Sequence, residues 1–154
     1  MARMSILFDG FEDLAAMVDR TYPAALKPIV DEALTETGKY VQEQVNKAAQ
    51  PYATKGGGLK GYATGEMFRA LKKSNPVIWI SPHIAEVSVG FDLTAAGGFH
   101  SIFVMYGTPR MAKNQKLYNS IKGTKTKREV ENIQEQIFFK YTSNSDVWNR
   151  GSWR

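Results

Sequence analysis

The sequence predicts an α+β domain, in which helices pack against a small antiparallel β-sheet. Three observations support this fold class. Apolar residues recur at steps of three and four through residues 26–48, as in an amphipathic helix. Apolar and polar residues alternate between Glu86 and Phe91, as in a strand with one buried face. Helical segments flank this strand, and 154 residues, 43% of them hydrophobic, suffice for one core.

The chain begins with a predicted strand, Ser5–Phe8, and a first helix that follows from the N-cap Asp9 and ends near Pro23. A longer helix begins between Pro23 and Pro28, because proline is tolerated only in a first turn, and ends at Gln50–Pro51. The apolar face of the first helix comprises Phe11, Leu14, Ala15 and Val18. The apolar face of the longer helix comprises Leu26, Val30, Ala33, Leu34, Thr37, Val41, Val45 and Ala48.

A short helix and a β-hairpin are predicted in the middle of the chain. Thr64 is the predicted N-cap of the helix, which continues to Ser74. The spacing of the apolar residues then changes from that of a helix to that of a strand. Val77–Ile80 is predicted to pair with the segment that begins at Ile84, around a turn at Ser81–Pro82. The residues predicted to face the core are Val87, Val89 and Phe91.

The last third of the domain is mainly helical. Residues 99–106 are apolar but too few to distinguish helix from strand, and a basic loop follows them. A helical turn ends at Gly123. The last helix begins at Thr126, which forms a T-x-x-E capping box with Glu129. Its apolar face comprises Val130, Ile133, Ile137 and Phe138.

The glycines between Gly56 and Gly61 match G-x-G-x-x-G, the spacing of dinucleotide-binding loops. That motif requires a strand before the first glycine and a helix opening at the last. Here a helix and Pro51 precede the glycines, and the next helix opens only after Thr64. The Walker pattern fails as well, because Tyr62 stands where lysine is needed. The segment is therefore interpreted as a long, flexible, basic loop, and no cofactor is predicted.

No catalytic or metal-binding pattern is evident. The chain contains no cysteine, and His83 and His100 lack the spacing of metal ligands. Ser101 beside His100 is not the signature of a catalytic triad, because triads are assembled in space by recognisable folds. The carboxylates are spread over helix faces, as solvated charges are. We therefore expect a protein that is not an enzyme.

The charges are unevenly distributed. Residues 1–50 carry five basic and eight acidic side chains, whereas residues 51–127 carry eleven basic and three acidic ones. A basic middle beside an acidic first third fits contact with nucleic acid, or self-association in which the acidic helix of one copy meets the basic face of the next. Charges that serve only solubility fit equally well.

Residues 1–141 are predicted to form one domain and residues 142–154 an extended C-terminal tail. Trp148 and Trp153 lie in that tail, which has no periodicity, and tryptophan is enriched at protein interfaces. They either dock on a partner or fold back onto their own domain. No segment has the length of a membrane span, and no membrane partner is expected.

Several segments, in this order, resemble the small neck or tail-completion proteins at the head–tail junction of long-tailed bacteriophages. They are "FDGFEDL", "ATGEMFRAL", "AEVSVGFD", "HSIFVMYGTPRM" and "KLYNSIKGTKTKREVENIQEQIF", covering Ile6 to Phe139. The feature that supports the resemblance most is the aromatic-Gly-Thr step at 106–108. The second is the helix that starts at Thr64-Gly65, before the hairpin. Met105 stands where many members of that family have an acidic residue.

The resemblance implies a structural virion protein located in the tail or neck, present in the host cytoplasm during assembly. Such proteins form a homo-oligomeric ring, here expected to be a hexamer, that caps the tail tube and joins it to the connector or adaptor proteins while DNA passes through the centre. The interface residues proposed on this basis are Lys55, Gly57, Lys60, Tyr62, Tyr106, Gly107, Thr108, Arg110, Trp148 and Trp153. The basic residues proposed to face DNA, without sequence specificity, are Lys55, Lys60, Lys72 and Lys73.

The alternative is a small basic nucleic-acid-binding protein that acts through its basic middle. Such a protein needs basic and aromatic residues together on one face, where bases can stack. The candidate aromatic residues are Tyr52, Tyr62, Trp79 and Phe91.

Overall fold

The computed structural model describes residues 23–57, 63–81 and 84–143, and it confirms the α+β class. Helices pack against a two-stranded antiparallel sheet. The elements in chain order are α1 (Pro23–Ala49), a 3-10 turn (Gln50–Tyr52), α2 (Glu66–Arg69), β1 (Val77–Ser81), β2 (Ile84–Val87), α3 (His100–Tyr106), α4 (Gln115–Lys122) and α5 (Thr124–Ser143). The predicted strand at 5–8, the first predicted helix, His83 and both tail tryptophans lie outside the described residues.

Helix α1 is the central element of the fold, and it packs against α4, α5 and the hairpin. Leu34, Thr37, Val41 and Val45 of its predicted apolar face are buried, whereas Val30, Ala33 and Ala48 are half-buried. The structure adds Ile29, Gln42 and Ala49 to the buried face. Its apolar periodicity therefore predicted the helix and most of its packed side.

The core gathers apolar side chains from five segments of the chain. Its buried members are Val41, Val45, Ala49, Met67, Phe91, Leu117, Ile121 and Val130. Val87 and Phe91 are buried and Val89 is half-buried, as predicted for the inner side of the hairpin segment. Among the helices in the described ranges, none is long and apolar enough to cross a membrane.

The short helix after the glycine loop is smaller than predicted. Gly65, with φ +84°, is the N-cap of α2, whereas Thr64 Oγ1 accepts only a long bond of 3.5 Å from the Glu66 amide. The helix ends at Arg69 because the next residues pair with the end of the hairpin: the Asp92 amide donates to Ala70 O at 2.7 Å, and the Lys72 amide donates to Gly90 O at 2.9 Å. The predictions of a Thr64 cap and of a helix reaching Ser74 were wrong.

The prediction that Thr126 forms a capping box at the start of the last helix was also wrong. Helix α5 begins at Thr124, directly after Gly123 ends α4, so Thr126 lies inside its first turn. The Thr126 hydroxyl is buried and donates to Asn119 O at 2.9 Å, which ties α5 to α4. Val130 and Ile137 are buried as expected, and α5 continues two residues past the predicted domain boundary to Ser143.

Candidate interaction surface

The base of the glycine-rich loop is tightly built. The Gly56 amide donates to Ala63 O at 2.8 Å, and the Ala63 amide donates to Gly57 O at 3.2 Å, so the two ends of the loop are joined. A Cβ on Gly57 would lie 2.0 Å from the carbonyl oxygen of Pro51, so only glycine fits there. Gly57 therefore has a packing role, and Lys55 beside it is exposed. Lys60 and Tyr62 lie outside the described residues.

The described lysines among those proposed to face DNA lie on different elements. Lys55 follows the 3-10 turn at the C-terminal end of α1. Lys72 is half-buried at the base of the hairpin, where its Nζ donates to Ser88 Oγ at 2.7 Å, and Lys73 is exposed. Lys72 thus has a structural hydrogen bond within its own chain.

Residues 99–106, which the sequence left open, form helix α3 with an exposed aromatic side. Phe99, Phe103 and Tyr106 follow one another at steps of four and three residues and expose 58%, 40% and 45% of their surface. We name these three residues the aromatic ridge. The rings of Phe99 and Phe103 meet edge to face at 5.3 Å. On the other side of α3, Val104 and Met105 pack against the core.

Basic side chains border the end of the ridge. Lys122 Nζ lies 5.3 Å from the ring centre of Tyr106, and Lys113 Nζ lies 4.4 Å from that of Tyr118. The two tyrosine rings are in edge-to-face contact at 6.0 Å. A hydrogen bond with Tyr106 raises the pKa of Lys122 above its usual 10.5. The two lysines and two tyrosines form one cationic and aromatic group at the surface.

The step at 106–108 that carries the family resemblance is a helix end and a tight turn. Gly107 has φ +77°, and a Cβ there would lie 2.8 Å from the Lys113 amide nitrogen, so this position requires glycine. Thr108 and Met111 exchange two backbone hydrogen bonds, of 2.8 and 3.1 Å. Arg110 lies in this turn and is exposed.

The segment that contains α3 and α4 carries no carboxylate. Between Asp92 and Glu129 the sequence has no aspartate or glutamate. The same stretch holds seven basic residues, all exposed: Arg110, Lys113, Lys116, Lys122, Lys125, Lys127 and Arg128. Positive charge of this density attracts an anionic surface or polymer.

A second exposed apolar surface lies on the hairpin. Ile78, Ile80 and Ile84 expose 52%, 57% and 56% of their surface, and we name them the hairpin face. Strand β1 pairs antiparallel with β2, with an irregularity between Trp79 and Ser81. The opposite side of the hairpin rests on α1, where Val87 is buried. Successive residues of a strand point to opposite sides, which leaves the isoleucines outward.

Sequence reasoning placed Tyr106–Arg110 at an interface but missed Phe99, Phe103 and the hairpin isoleucines. Apolar residues occur on both sides of the segments "FHSIFVMY" and "VIWIS", so their periodicity does not tell the inner from the outer side. Within the described residues, no group of three or more His, Cys, Asp or Glu side chains is placed to hold a metal ion. No family model, curated protein or solved structure matches the chain.

Proposed function

We propose that the chain is a structural virion protein, a subunit of a six-membered ring at the head–tail junction of a long-tailed bacteriophage. In this role it caps the tail tube and joins it to the connector. The observation that carries the proposal is the aromatic ridge on α3, which ends at Tyr106 and is followed directly by the turn that contains Gly107, Thr108 and Arg110. The family resemblance and the exposed apolar surface thus coincide at one place on the molecule.

The ridge has the composition of a protein-binding surface. Aromatic residues are enriched at interfaces, and their burial dominates interface energetics. Phe99 and Phe103 each leave roughly 100 Å² in water, so burying each ring against a neighbour stabilises the contact by about 2 kcal/mol. The edge-to-face contact of the two rings keeps them together as one anchor.

A ring needs two different surfaces on each subunit, because its contacts are head to tail. The acidic helix was expected to provide the second surface. Three glutamates of the acidic helix α1 form ion pairs within the chain: Glu36 with Lys39 at 3.0 Å, Glu43 with Lys47 at 2.7 Å, and Glu32 with Lys140 at 2.7 Å. The pairs of Glu36 and Glu43 are exposed and contribute little to stability, so these two glutamates are able to exchange partners on assembly.

Co-assembly tests the proposal. The chain would be expressed with the connector and tail-tube proteins of the same genome, and the products sized by light scattering. We expect a ring or a complex with those proteins, and we expect Phe99→Glu to prevent it. Phe139→Glu is the matched control, because Phe139 is 64% exposed but lies on α5, away from the ridge.

Two results would contradict the proposal. One is a chain that stays monomeric in the presence of both partner proteins. The other is a Phe99→Glu variant that keeps its fold, shown by an unchanged melting temperature, and still assembles as well as the control.

A second candidate function is sequence-independent binding of nucleic acid. Three of the four candidate stacking residues are poorly accessible: Tyr52 and Trp79 are half-buried and hydrogen-bonded, to Asn114 and Asp31, and Phe91 is buried. The fourth, Tyr62, lies outside the described residues. The stretch from residue 93 to 128 supports the function instead, because it holds seven exposed basic side chains and no carboxylate, and exposed lysines and arginines suit phosphate contacts.

A titration with duplex DNA at two salt concentrations tests this second function. Each phosphate contact contributes about 0.9 to the slope of log K against log salt. We expect Lys116→Gln and Lys125→Gln to lower that slope, and Lys39→Gln on α1 to leave it unchanged. Affinity no better than millimolar at low salt would exclude the function.

A further inference from the structure

A shallow groove lies between helices α1 and α5, and we name it the α1–α5 groove. Its volume is about 490 Å³, and its lining residues are Glu36, Lys39, Tyr40, Glu43, Ile133, Gln136 and Ile137. The floor is apolar, because Tyr40 and Ile133 are half-buried and Ile137 is buried. A cavity of about 150 Å³ holds one benzene molecule, so this groove has room for two phenyl rings.

Carboxylates stand at the rim of the groove. Glu36 and Glu43 are exposed, and each pairs with a lysine one turn along α1, at 3.0 and 2.7 Å. Burial and the nearby carboxylates of Glu129 and Glu43 raise the pKa of the Tyr40 hydroxyl above its usual 10.0. The groove therefore combines an apolar floor with acidic side chains, whose exposed ion pairs exchange partners at little cost.

The aromatic ridge has the complementary composition. Its rings span the seven residues from Phe99 to Tyr106, and the groove spans the seven residues of α1 from Glu36 to Glu43, about 10 Å in each case. Lys122 approaches the ridge at Tyr106, and residues 93–128 contain no carboxylate. An apolar ridge with a basic border thus matches an apolar groove with an acidic rim, in length and in charge.

We propose that the α1–α5 groove of one subunit receives the aromatic ridge of the next copy. This inference rests on the proposed ring and names the surface that receives the ridge. Because ridge and groove are different surfaces of one chain, the contact is head to tail, which is the arrangement that closes into rings. Stable interfaces bury roughly 800 Å² on each partner, far more than the roughly 100 Å² of each phenyl ring. Ridge and groove therefore form the centre of a larger contact.

The absence of cysteine allows a direct test in the full chain. His100→Cys, at an exposed position next to Phe99, is mixed with Gln136→Cys, at an exposed position that lines the groove. A short bismaleimide is added with and without the connector and tail-tube proteins, and peptide mapping identifies the products. In the matched control Glu131→Cys replaces Gln136→Cys, because Glu131 is exposed on the other side of α5.

We expect cross-links between positions 100 and 136 of two chains, and a loss of this product in the control mixture. A complex that forms without more of this product than the control gives would overturn the inference and leave the proposed function standing. Cross-links from position 100 only to the connector or tail-tube protein would assign the ridge to that partner and also overturn the inference. The expected product from a chain that forms neither a ring nor a complex would contradict the proposed function alone. The absence of both product and complex would contradict both proposals.

Charge reversal provides a second test. Glu36→Lys combined with Glu43→Lys should weaken assembly at least about tenfold, because like charges then face each other across the contact. Adding Lys113→Glu and Lys122→Glu to the same chain makes the two surfaces opposite in charge again, so assembly should recover.

The control for charge reversal is Glu131→Lys combined with Glu135→Lys. These two substitutions change the net charge equally at exposed positions on the other side of α5, and they should leave assembly unchanged. A groove variant that keeps its melting temperature and assembles as well as this control would overturn the inference.

Discussion

Gln42 attaches the end of the hairpin to α1, and its removal is expected to destabilise the whole domain. This side chain is 6% exposed. Its Oε1 accepts from the Gly90 amide at 2.7 Å and from Asn75 Nδ2 at 3.1 Å. Its Nε2 is shared between Gly90 O, at 3.1 Å, and Asn46 Oδ1, at 2.9 Å. One amide group thus satisfies four polar partners.

The size of the effect follows from the groups left behind in Gln42→Ala. Gly90 O still accepts from the Lys72 amide, and Asn75 Nδ2 still donates to Ser88 O. The Gly90 amide, however, loses its partner in a buried place, which costs about 1–3 kcal/mol. The remaining bonds and the void add about 1 kcal/mol, so we expect a loss of about 3 kcal/mol. For a domain of this size that loss lowers the melting temperature by roughly 6–12 °C.

Urea unfolding of Gln42→Ala and of a control measures this loss. Gln136→Ala is the control, because Gln136 is an exposed glutamine on α5. Gln42→Met, of similar volume, separates the lost hydrogen bonds from the void and should remain strongly destabilised. A surface substitution ordinarily changes the free energy of unfolding by no more than about 0.5 kcal/mol. If Gln42→Ala lies within that range of the control, the hydrogen bonds of Gln42 to the hairpin segment do not stabilise the domain and the prediction is wrong.

Three further predictions concern other parts of the fold. Gly97→Ala should lower the free energy of unfolding by more than about 2 kcal/mol, because Gly97 has φ +78° and a new Cβ would lie 2.6 Å from Glu66 at the start of α2. Urea unfolding curves measure that loss. Asn114→Ala should cost about 1–2 kcal/mol by thermal unfolding, because Asn114 caps α4 and donates to the Tyr52 hydroxyl at 2.8 Å. A hydrogen bond from Lys140 holds the pKa of Glu32 below its usual 4.5, so this carboxylate stabilises the fold above pH 4.5. The stability difference between wild type and Glu32→Gln should therefore shrink as the pH falls below that value; a difference that grows on acidification would contradict the assignment.

The sequence predicted the elements whose pattern has a single interpretation. Helix α1 has an apolar repeat over many turns, and Pro51 ends it, so its bounds were close to those observed. Thr126 was misassigned because a T-x-x-E pattern describes only local capping. Its hydroxyl instead bonds the Asn119 carbonyl of the preceding helix, a contact that depends on the angle between α4 and α5. Sequence pattern carries no information on that angle.

Only part of the candidate surface was predicted from the sequence. Tyr106 and Gly107 were proposed for an interface because the aromatic-Gly-Thr step carries the family resemblance, and in the structure they lie at the end of α3 and in the turn after it. Phe99 and Phe103 lie in a mostly apolar run whose apolar residues fall on more than one side, and such a run fits burial as well as exposure. Only the packing of Val104 and Met105 on the core determines which side of α3 faces outward.

The two exposed apolar surfaces are associated with opposite ends of α1, and this separation makes their roles independently testable. The hairpin segment contacts α1 at Gly38 and Gln42 near its base and at Asp31 near its far end. Helix α3 adjoins the other end of α1, because Val104 O accepts from the Asn114 amide and the Asn114 side chain donates to Tyr52. At 1.5 Å per residue, Asp31 and Tyr52 are about 30 Å apart along the helix direction. Changes at sites this distant, without shared partners, act additively. Phe99→Glu should therefore leave the packing of the hairpin on α1 intact. A substitution that abolishes both assembly and that packing has unfolded the domain rather than altered the ridge.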